Sequence, residues 1–243
     1  MGSRAPVSAL RRTPRQARSR DKVERIISAA EALLKEVGYD GCVSSPTLLI
    51  ERSGVNAGSF YTYFHSVQAV LEELTFRYMD RAYALIDTVC AREYPTWEAA
   101  NDAVVDAFES FHRDSVVREL WNGNHMSDQA LKVQSRLQEY LTASSQKLLV
   151  ASSGGKLEAP DVAFAVATMV GNHLVQTALG PGRDRPDMLA QAKVLMRAYL
   201  ATFVREEDGR DPDPERDPDP ERGRGGGQAR LATTVGTPLR SVE

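Results

Sequence analysis

The chain has 243 residues, of which 42% are hydrophobic and 26% are charged, as in an ordinary globular protein of one or two domains. Its net charge of −3 conceals an asymmetry, because residues 1–25 carry +6 and residues 205–243 carry −3. The two cysteines have no zinc-binding spacing and are too few for a disulfide framework. No apolar run is long enough to span a membrane, and no apolar segment follows the basic N-terminus as it would in a secretory signal. We therefore expect a reduced, cytoplasmic compartment.

The first 44 residues are predicted to contain an arm and one helix. Residues 1–20 hold two prolines, many arginines and few apolar side chains, so we predict a disordered basic arm. Apolar residues then recur at helical spacing from Val23 to Val37. Gly38 is placed to end this helix, and residues 39–41 are predicted to form the turn that follows.

Two short helices joined by a tight turn are predicted within residues 45–64. Ser45 is a suitable N-cap, and Pro46 follows at the first helical position, where its missing N–H costs nothing. Gly54 lies where the first helix must stop, because glycine takes a positive φ without penalty. Asn56 is then predicted to cap the second helix.

The second of these helices is predicted to have one buried and one polar face. Phe60 and Phe64 are one turn apart and therefore share the buried face. The other side chains form a polar, aromatic, nearly uncharged surface that can donate hydrogen bonds: Ser59, Tyr61, Thr62 and Tyr63. A hairpin of helices inside an ordinary core would explain the buried face but not exposed tyrosines beside Ser59.

The run from Gly54 to Phe64, Gly-Val-Asn-Ala-Gly-Ser-Phe-Tyr-Thr-Tyr-Phe, resembles the DNA-binding domain of the tetracycline-repressor (TetR) family. The resemblance covers roughly residues 23–74 and implies a three-helix helix-turn-helix domain over residues 21–66. Two positions depart from the family pattern: Ile50 replaces a small alanine, and Val67 stands where a phosphate-binding lysine is frequent. The DNA contacts that the resemblance implies are Ser45, Thr47, Asn56, Ala57, Gly58, Ser59, Tyr61, Thr62, Tyr63 and His65. In this family a basic extension often lies along DNA phosphates, whereas composition alone is equally compatible with a solvated tail.

The rest of the chain is predicted to be helical, which makes the fold all-α. Ser66 is predicted to cap a helix that runs toward Cys90, and further helices are expected near 97–114, 116–122, 127–152, 160–179 and 186–207. The resemblance makes residues 67–207 a ligand-binding and dimerisation domain. Residues 208–243, in which Asp-Pro-Asp-Pro-Glu-Arg occurs twice, are predicted to be a disordered tail.

Two apolar stripes near the C-terminus permit two interpretations. One stripe runs from Met188 to Phe203, and a stripe of smaller residues runs from Val162 to Val170. The two helices either are internal core or pack against a second copy as a four-helix dimer interface. The resemblance favours the dimer.

The sequence offers no catalytic pattern. The four histidines have no metal-binding spacing, and neither a nucleophile elbow nor a phosphate-binding loop occurs, so we expect no enzymatic activity, metal or cofactor. Apolar walls with a few polar groups suit a small-molecule site, although the same residues could be plain core. The residues predicted to line such a site are Trp97, Phe108, Phe111, His112, Trp121, His125, Met126, Met169 and His173.

Taken with the resemblance, these patterns predict a homodimeric, ligand-responsive transcriptional repressor located at the nucleoid. Its expected partners are double-stranded operator DNA, a second copy of itself and an apolar or aromatic effector. No association with a membrane is expected. The sequence leaves two alternatives open. One is an adaptor of the same fold that acts through a protein partner, and the other is a helical carrier of apolar ligands with no DNA role.

Overall fold

The computed structural model describes residues 7–14, 16–121, 125–180 and 183–205. These residues form an all-α fold, as predicted, with one isolated bridge between Leu157 and Val204 as their only β-type pairing. The helices are α1 (Ala17–Ser44), α2 (Pro46–Ser53), α3 (Ala57–Tyr63), α4 (Val67–Cys90), α5 (Trp97–Arg113), α6 (Ser115–Trp121), α7 (Asp128–Ser152), α8 (Asp161–Ala178) and α9 (Pro186–Ala201). The predicted tail, residues 208–243, lies outside the described residues.

The N-terminal core is built from α1, α2, α3, the first half of α4 and α6. Phe60 and Phe64 are fully buried in it, as predicted. Val116 and Val117 of α6 are also fully buried there, although they lie far along the chain. The predicted domain boundary at residue 66 therefore does not coincide with the limit of this core, which continues through α4 and α6.

Most of the predicted signals at the helix ends are confirmed. Asn56 Oδ1 accepts a hydrogen bond from Ser59 N at 2.8 Å, and Ser66 Oγ accepts one from Ala69 N at 3.2 Å. Gly54 ends α2 with φ of 60°, the left-handed conformation that glycine favours. Ser45 occupies the N-cap position of α2, as predicted, but its side chain makes no capping hydrogen bond.

Gly38 ends the first helical segment of α1, as predicted, and a second segment follows it directly. Its φ of 69° and ψ of −178° are not helical, yet helical structure resumes and continues to Ser44. The predicted turn at residues 39–41 is therefore helical. The reason is a partner distant in sequence: Glu119 Oε2 of α6 accepts a hydrogen bond from Tyr39 N at 3.0 Å and satisfies an N–H of the resumed segment.

The described part of the basic arm is ordered by specific contacts, which corrects the prediction that residues 1–20 are disordered. Ser8 Oγ and Ala9 N both donate to Glu73 Oε2 of α4, at 2.7 and 2.9 Å. Arg11 N donates to Tyr63 O at 2.9 Å. The helix α1 itself begins at Ala17. The Glu73 carboxylate on α4 thus fixes the position of residues 8 and 9. The composition of the arm alone does not indicate this contact.

The C-terminal body consists of α4, α5, α7, α8 and α9, and the helix bounds agree with the predicted segments within three residues except at the end of α9. That helix ends at Ala201, not near residue 207. The chain then leaves the helix because Phe203 O accepts a hydrogen bond from Glu158 N at 3.0 Å, and Arg205 N donates to Lys156 O at 2.9 Å.

Candidate nucleic-acid interface and ligand cavity

The seven-residue helix α3 presents a polar surface next to α2. Of the residues predicted for this surface, most are exposed and two, Ser45 and Ser59, are partly buried. The exposed ones are Thr47, Asn56, Ala57, Gly58, Tyr61, Thr62 and His65. Backbone N–H groups at the start of a helix and exposed hydroxyl groups are the donors that phosphates and base edges accept from.

Tyr63 does not belong to this surface, which corrects the sequence prediction. Its side chain is only 8% exposed and packs in the N-terminal core, whereas Tyr61 is 46% exposed. The positions i, i+3 and i+4 of a helix share one face, so Tyr63 lies on the side of Phe60 and Phe64. The three-residue spacing from Phe60 places Tyr63 on the buried face, whereas its hydroxyl group alone suggests an exposed position.

Three cations flank α3, and residue-by-residue sequence reasoning did not single them out. Lys22 Nζ donates to Ser59 Oγ at 3.1 Å, and Arg11 Nη1 donates to Tyr61 O at 3.2 Å. Arg25 Nε donates to Ser53 O at 3.0 Å, at the end of α2. The excess of basic residues in positions 1–25 was the available signal. These cations give the surface around α3 a positive charge that suits a polyanion.

Two adjacent cavities lie in the C-terminal body. The first is enclosed by α4, α5, α6, α7 and α8, and its empty volume is about 640 Å³ including the part open to solvent. The second lies between α5, α7, α8 and α9. Of the predicted ligand-site residues, Phe108 lines both cavities, whereas Phe111, His112 and Trp121 line the first.

The other predicted ligand-site residues lie elsewhere. Trp97 is 7% exposed and belongs to the body's core, while Met169 is 60% exposed and His173 is exposed, both on the outer side of α8. His125 and Met126 line a separate, more polar cavity, and the His125 ring stacks on Tyr39 with centroids 3.9 Å apart. Side chains of these types are common in ligand pockets. Whether such a residue lines a cavity depends on the side of its helix on which it lies.

The first cavity has polar groups that sequence reasoning missed. Gln138, Ser145, Asn172 and Gln176 line it together with His112. His112 is 3% exposed, and its pKa lies below the ordinary value because burial penalises the charged ring. The half-buried thiol of Cys90 also borders this cavity, whereas Cys42 is fully buried in the N-terminal core.

Within the part of the chain that the structure describes, no group of three or more histidine, cysteine or acidic side chains could hold a metal ion. Within the same residues, no helix is long and apolar enough to cross a membrane.

Two family models match this sequence. The model for bacterial regulatory proteins of the tetR family matches residues 26–74, and the model for the tetracyclin repressor-like C-terminal domain matches residues 96–200. Together they cover more than half of the chain. The chain belongs to the TetR family. It is a transcriptional regulator with a DNA-binding helix-turn-helix, which α2 and α3 form.

Solved structures of TetR regulators resemble this one along most of their length. A TetR-family transcriptional regulator from Streptomyces coelicolor is 26% identical, with 75% of this chain and 99% of that chain covered at a TM-score of 0.53. SmeT, the repressor of the Stenotrophomonas maltophilia multidrug efflux pump SmeDEF, is 17% identical, with 80% and 99% covered at a TM-score of 0.52. The likeness to SmeT shows the fold alone. A comparison with curated proteins found no match.

Two glycines of the helix-turn-helix make a contrasting prediction. A Cβ at Gly58 would meet only Asn56 Oδ1, at 3.6 Å, so the free TetR fold has room for it. Gly54 has a φ of 60°, and a Cβ there would collide with the Arg25 guanidinium. We expect Gly58→Ala to preserve or slightly raise thermal stability but to weaken DNA binding at least about tenfold, because the added methyl blocks close approach of the backbone.

The matched control is Gly54→Ala, which is expected to lower the free energy of unfolding by about 1–2 kcal/mol because of its left-handed conformation. Chemical denaturation and fluorescence anisotropy with labelled DNA measure the two effects. Unchanged DNA affinity in Gly58→Ala would show that the start of α3 does not approach the DNA.

Proposed function

We propose that this TetR regulator is a homodimeric repressor whose DNA affinity is controlled by a small molecule bound in the C-terminal body. The observation that carries the proposal is the path of α4. This helix has 24 residues and is therefore about 36 Å long. Its first half, including Val70 and Leu74, is buried in the N-terminal core, and its second half, including Ile86 and Val89, lines the first cavity.

A continuous helix that belongs to both regions gives a physical route for regulation. A ligand between α4, α5 and α7 would favour the position of α4 that accommodates it. Because α4 is packed against α1, and α1 in turn contacts α2 and α3, another position of α4 would move the DNA-reading surface. Regulation then requires only that the ligand bind the two positions with different affinity.

The proposed DNA contacts are the exposed groups of the helix-turn-helix. The N-terminal half of α3, with Asn56, Ala57 and Gly58, would enter the major groove, and Tyr61 and Thr62 would donate to phosphates or bases. Lys22 and Arg11, beside α3, would contribute phosphate contacts. Repressor function is supported by the fold that the chain shares with SmeT, which is the repressor of a multidrug efflux pump.

The proposed dimer interface is the outer face of α8 and α9. Val162 is 66% exposed, Met169 60%, Val194 53% and Leu195 48%, whereas Leu189 and Met196 face inward. Each helix thus has one apolar face in the core and a second one on the surface. Exposed apolar patches on a folded protein mark an interaction site. If α8 and α9 packed against the same two helices of a second copy, both patches would be buried.

Selection of DNA from a random-sequence pool, followed by band-shift titration, tests the proposal. A dimer with one recognition helix in each copy should enrich an inverted repeat with half-sites about one helical turn apart, or a multiple of one turn. Titration of small molecules against the bound DNA then tests regulation. Enrichment of single half-sites, or of no sequence, would contradict the proposed dimeric repressor.

Removing residues 1–14 is expected to have two separable effects. The deletion removes the donors Ser8 and Ala9 from Glu73, which is 6% exposed, so the free energy of unfolding should fall by about 1–3 kcal/mol. It also removes Arg4, Arg11 and Arg12. The slope of log affinity against log salt should therefore fall by about 0.9 for each phosphate that the arm neutralises in the intact protein.

The control is Arg11→Gln combined with Arg12→Gln, which keeps the hydrogen bonds to Glu73. This double variant should reduce the salt dependence and leave the stability unchanged. DNA anisotropy at several salt concentrations and urea denaturation separate the effects. A salt slope that both variants leave unchanged would show that the arm supports the fold without contacting DNA.

A further inference from the structure

The described residues that line the two cavities of the C-terminal body carry no full charge. No aspartate, glutamate, lysine or arginine is among the described residues that line either cavity. For His112, the imidazole that lines the first cavity, burial lowers the pKa and so favours the neutral ring. An ionised ligand would therefore leave water without a counter-charge to replace its hydration, and such a transfer is severely unfavourable.

His112 presents a hydrogen-bond acceptor for which the described residues provide no donor. Its Nδ1 lies 3.0 Å from Phe108 O, and a carbonyl oxygen can only accept, so Nδ1 carries the proton. The neutral ring then has a lone pair on Nε2. This atom is buried and has no hydrogen-bond partner among the described residues. Leaving a buried acceptor unpaired costs free energy, which a ligand hydroxyl or N–H group would recover.

Gln138 presents the complementary donor. Gln176 Nε2 donates to Asn172 Oδ1 at 3.3 Å, and Asn172 Nδ2 donates to Gln138 Oε1 at 3.5 Å. These three amides form a row that leads from α8 to α7. The row uses Gln138 Oε1 as an acceptor, whereas Gln138 Nε2 is buried and has no acceptor among the described residues. A ligand carbonyl or ether oxygen would satisfy it.

Polar groups recur where the two cavities adjoin. Ser145 lines both cavities, and its Oγ is buried and unpaired in the described residues. Asn101, in the second cavity, has a buried Oδ1 that is likewise unpaired within the described chain. Buried polar atoms without partners are rare in folded proteins, and four around one pair of cavities point to a molecule with matching groups.

We propose that the effector is an uncharged, mostly apolar molecule that donates a hydrogen bond to His112 Nε2 and accepts one from Gln138 Nε2. This inference rests on the proposed effector site and adds the chemistry of its ligand. Phenols that also carry a ketone or an ester, and other hydroxylated ring compounds with a carbonyl group, belong to this class. Carboxylates, sulfonates and quaternary ammonium compounds do not.

Four naphthalene derivatives test the proposal on one ring system. They are 2-acetyl-6-hydroxynaphthalene, which has donor and acceptor, 2-acetyl-6-methoxynaphthalene, which lacks the donor, 2-naphthol, which lacks the carbonyl, and 2-naphthoate, which is charged. Calorimetric titration of the full-length protein is expected to rank the hydroxy ketone first. Removal of either polar group should weaken binding by about tenfold, and the carboxylate should bind about a hundredfold more weakly or less.

Two variants assign these preferences to the two side chains. His112→Phe keeps a ring of similar size, and it should abolish the preference for hydroxyl over methoxy. Gln138→Leu should abolish the preference for the ketone over 2-naphthol. Gln134→Leu is the matched control, because Gln134 lines the same cavity without an unpaired buried atom, and both preferences should persist. Unchanged circular dichroism and DNA affinity verify that each variant is folded.

The inference is overturned if 2-naphthoate binds as tightly as the hydroxy ketone, if no neutral compound binds, or if both preferences survive in His112→Phe and Gln138→Leu. Should one variant fail to fold, the other still decides its own half of the pair. These titrations contain no DNA, so they are independent of the proposed repression. Binding with the expected preferences but without release of DNA would contradict the proposed regulation and leave the ligand chemistry supported.

Discussion

A Leu195→Glu variant is expected to be a monomer that no longer binds operator DNA tightly. Leu195 lies on the outer face of α9 beside Val194, and a two-fold interface would bring two copies of the new carboxylate into an apolar contact. Light scattering should give a mass near the chain's 26.7 kDa instead of twice that value. DNA affinity should fall by about a hundredfold or more, because the second half-site is no longer bound intramolecularly.

Leu131→Glu is a closely matched control for this variant. Leu131 is 49% exposed and Leu195 is 48% exposed, but Leu131 lies on α7, away from the face of α8 and α9. It should remain dimeric and bind DNA normally. A wild-type protein that is monomeric at micromolar concentration, or a Leu195→Glu variant that remains a dimer, would contradict the proposed interface.

The features that could be predicted from the sequence are those that neighbouring residues determine. The left-handed glycine at Gly54 and the caps at Asn56 and Ser66 depend on backbone geometry within a few positions, so residue type was enough. The helix bounds of the body follow from apolar spacing for the same reason. The continuation of α1 beyond Gly38 could not be predicted, because it depends on Glu119 of α6.

The candidate sites show the same limit. The position of α3 and most of its exposed residues could be predicted from a short motif. The cavity could be predicted only in part, because aromatic and methionine side chains mark a pocket, a core and an interface equally well. Met169 is the clearest case: it was expected to line the ligand site, but it is 60% exposed on the outer face of α8. The amide row at Gln138 could not be found, since its members lie on two helices.

Filling the first cavity is expected to abolish the response to ligand without changing DNA binding. Ala107 of α5 lines this cavity, and Ala107→Trp would place an indole where the ligand ring should lie. We expect the affinity for 2-acetyl-6-hydroxynaphthalene to fall by about a hundredfold or more, because the indole occupies the volume that the ligand ring needs. Ala84→Trp, at an exposed position of α4, is the control and should bind the compound normally.

The same pair of variants tests how α4 connects the two regions. If ligand and DNA favour different positions of α4, each must weaken the other's binding by the same factor, which for couplings of this kind corresponds to about 1–3 kcal/mol. Calorimetry with and without bound operator measures this factor from the ligand side, and anisotropy with and without ligand measures it from the DNA side. Ala107→Trp should lose the coupling, and Ala84→Trp should keep it. Tight ligand binding that leaves operator affinity unchanged in the wild-type protein would contradict the proposed regulation, since a ligand with equal affinity for both positions shifts neither.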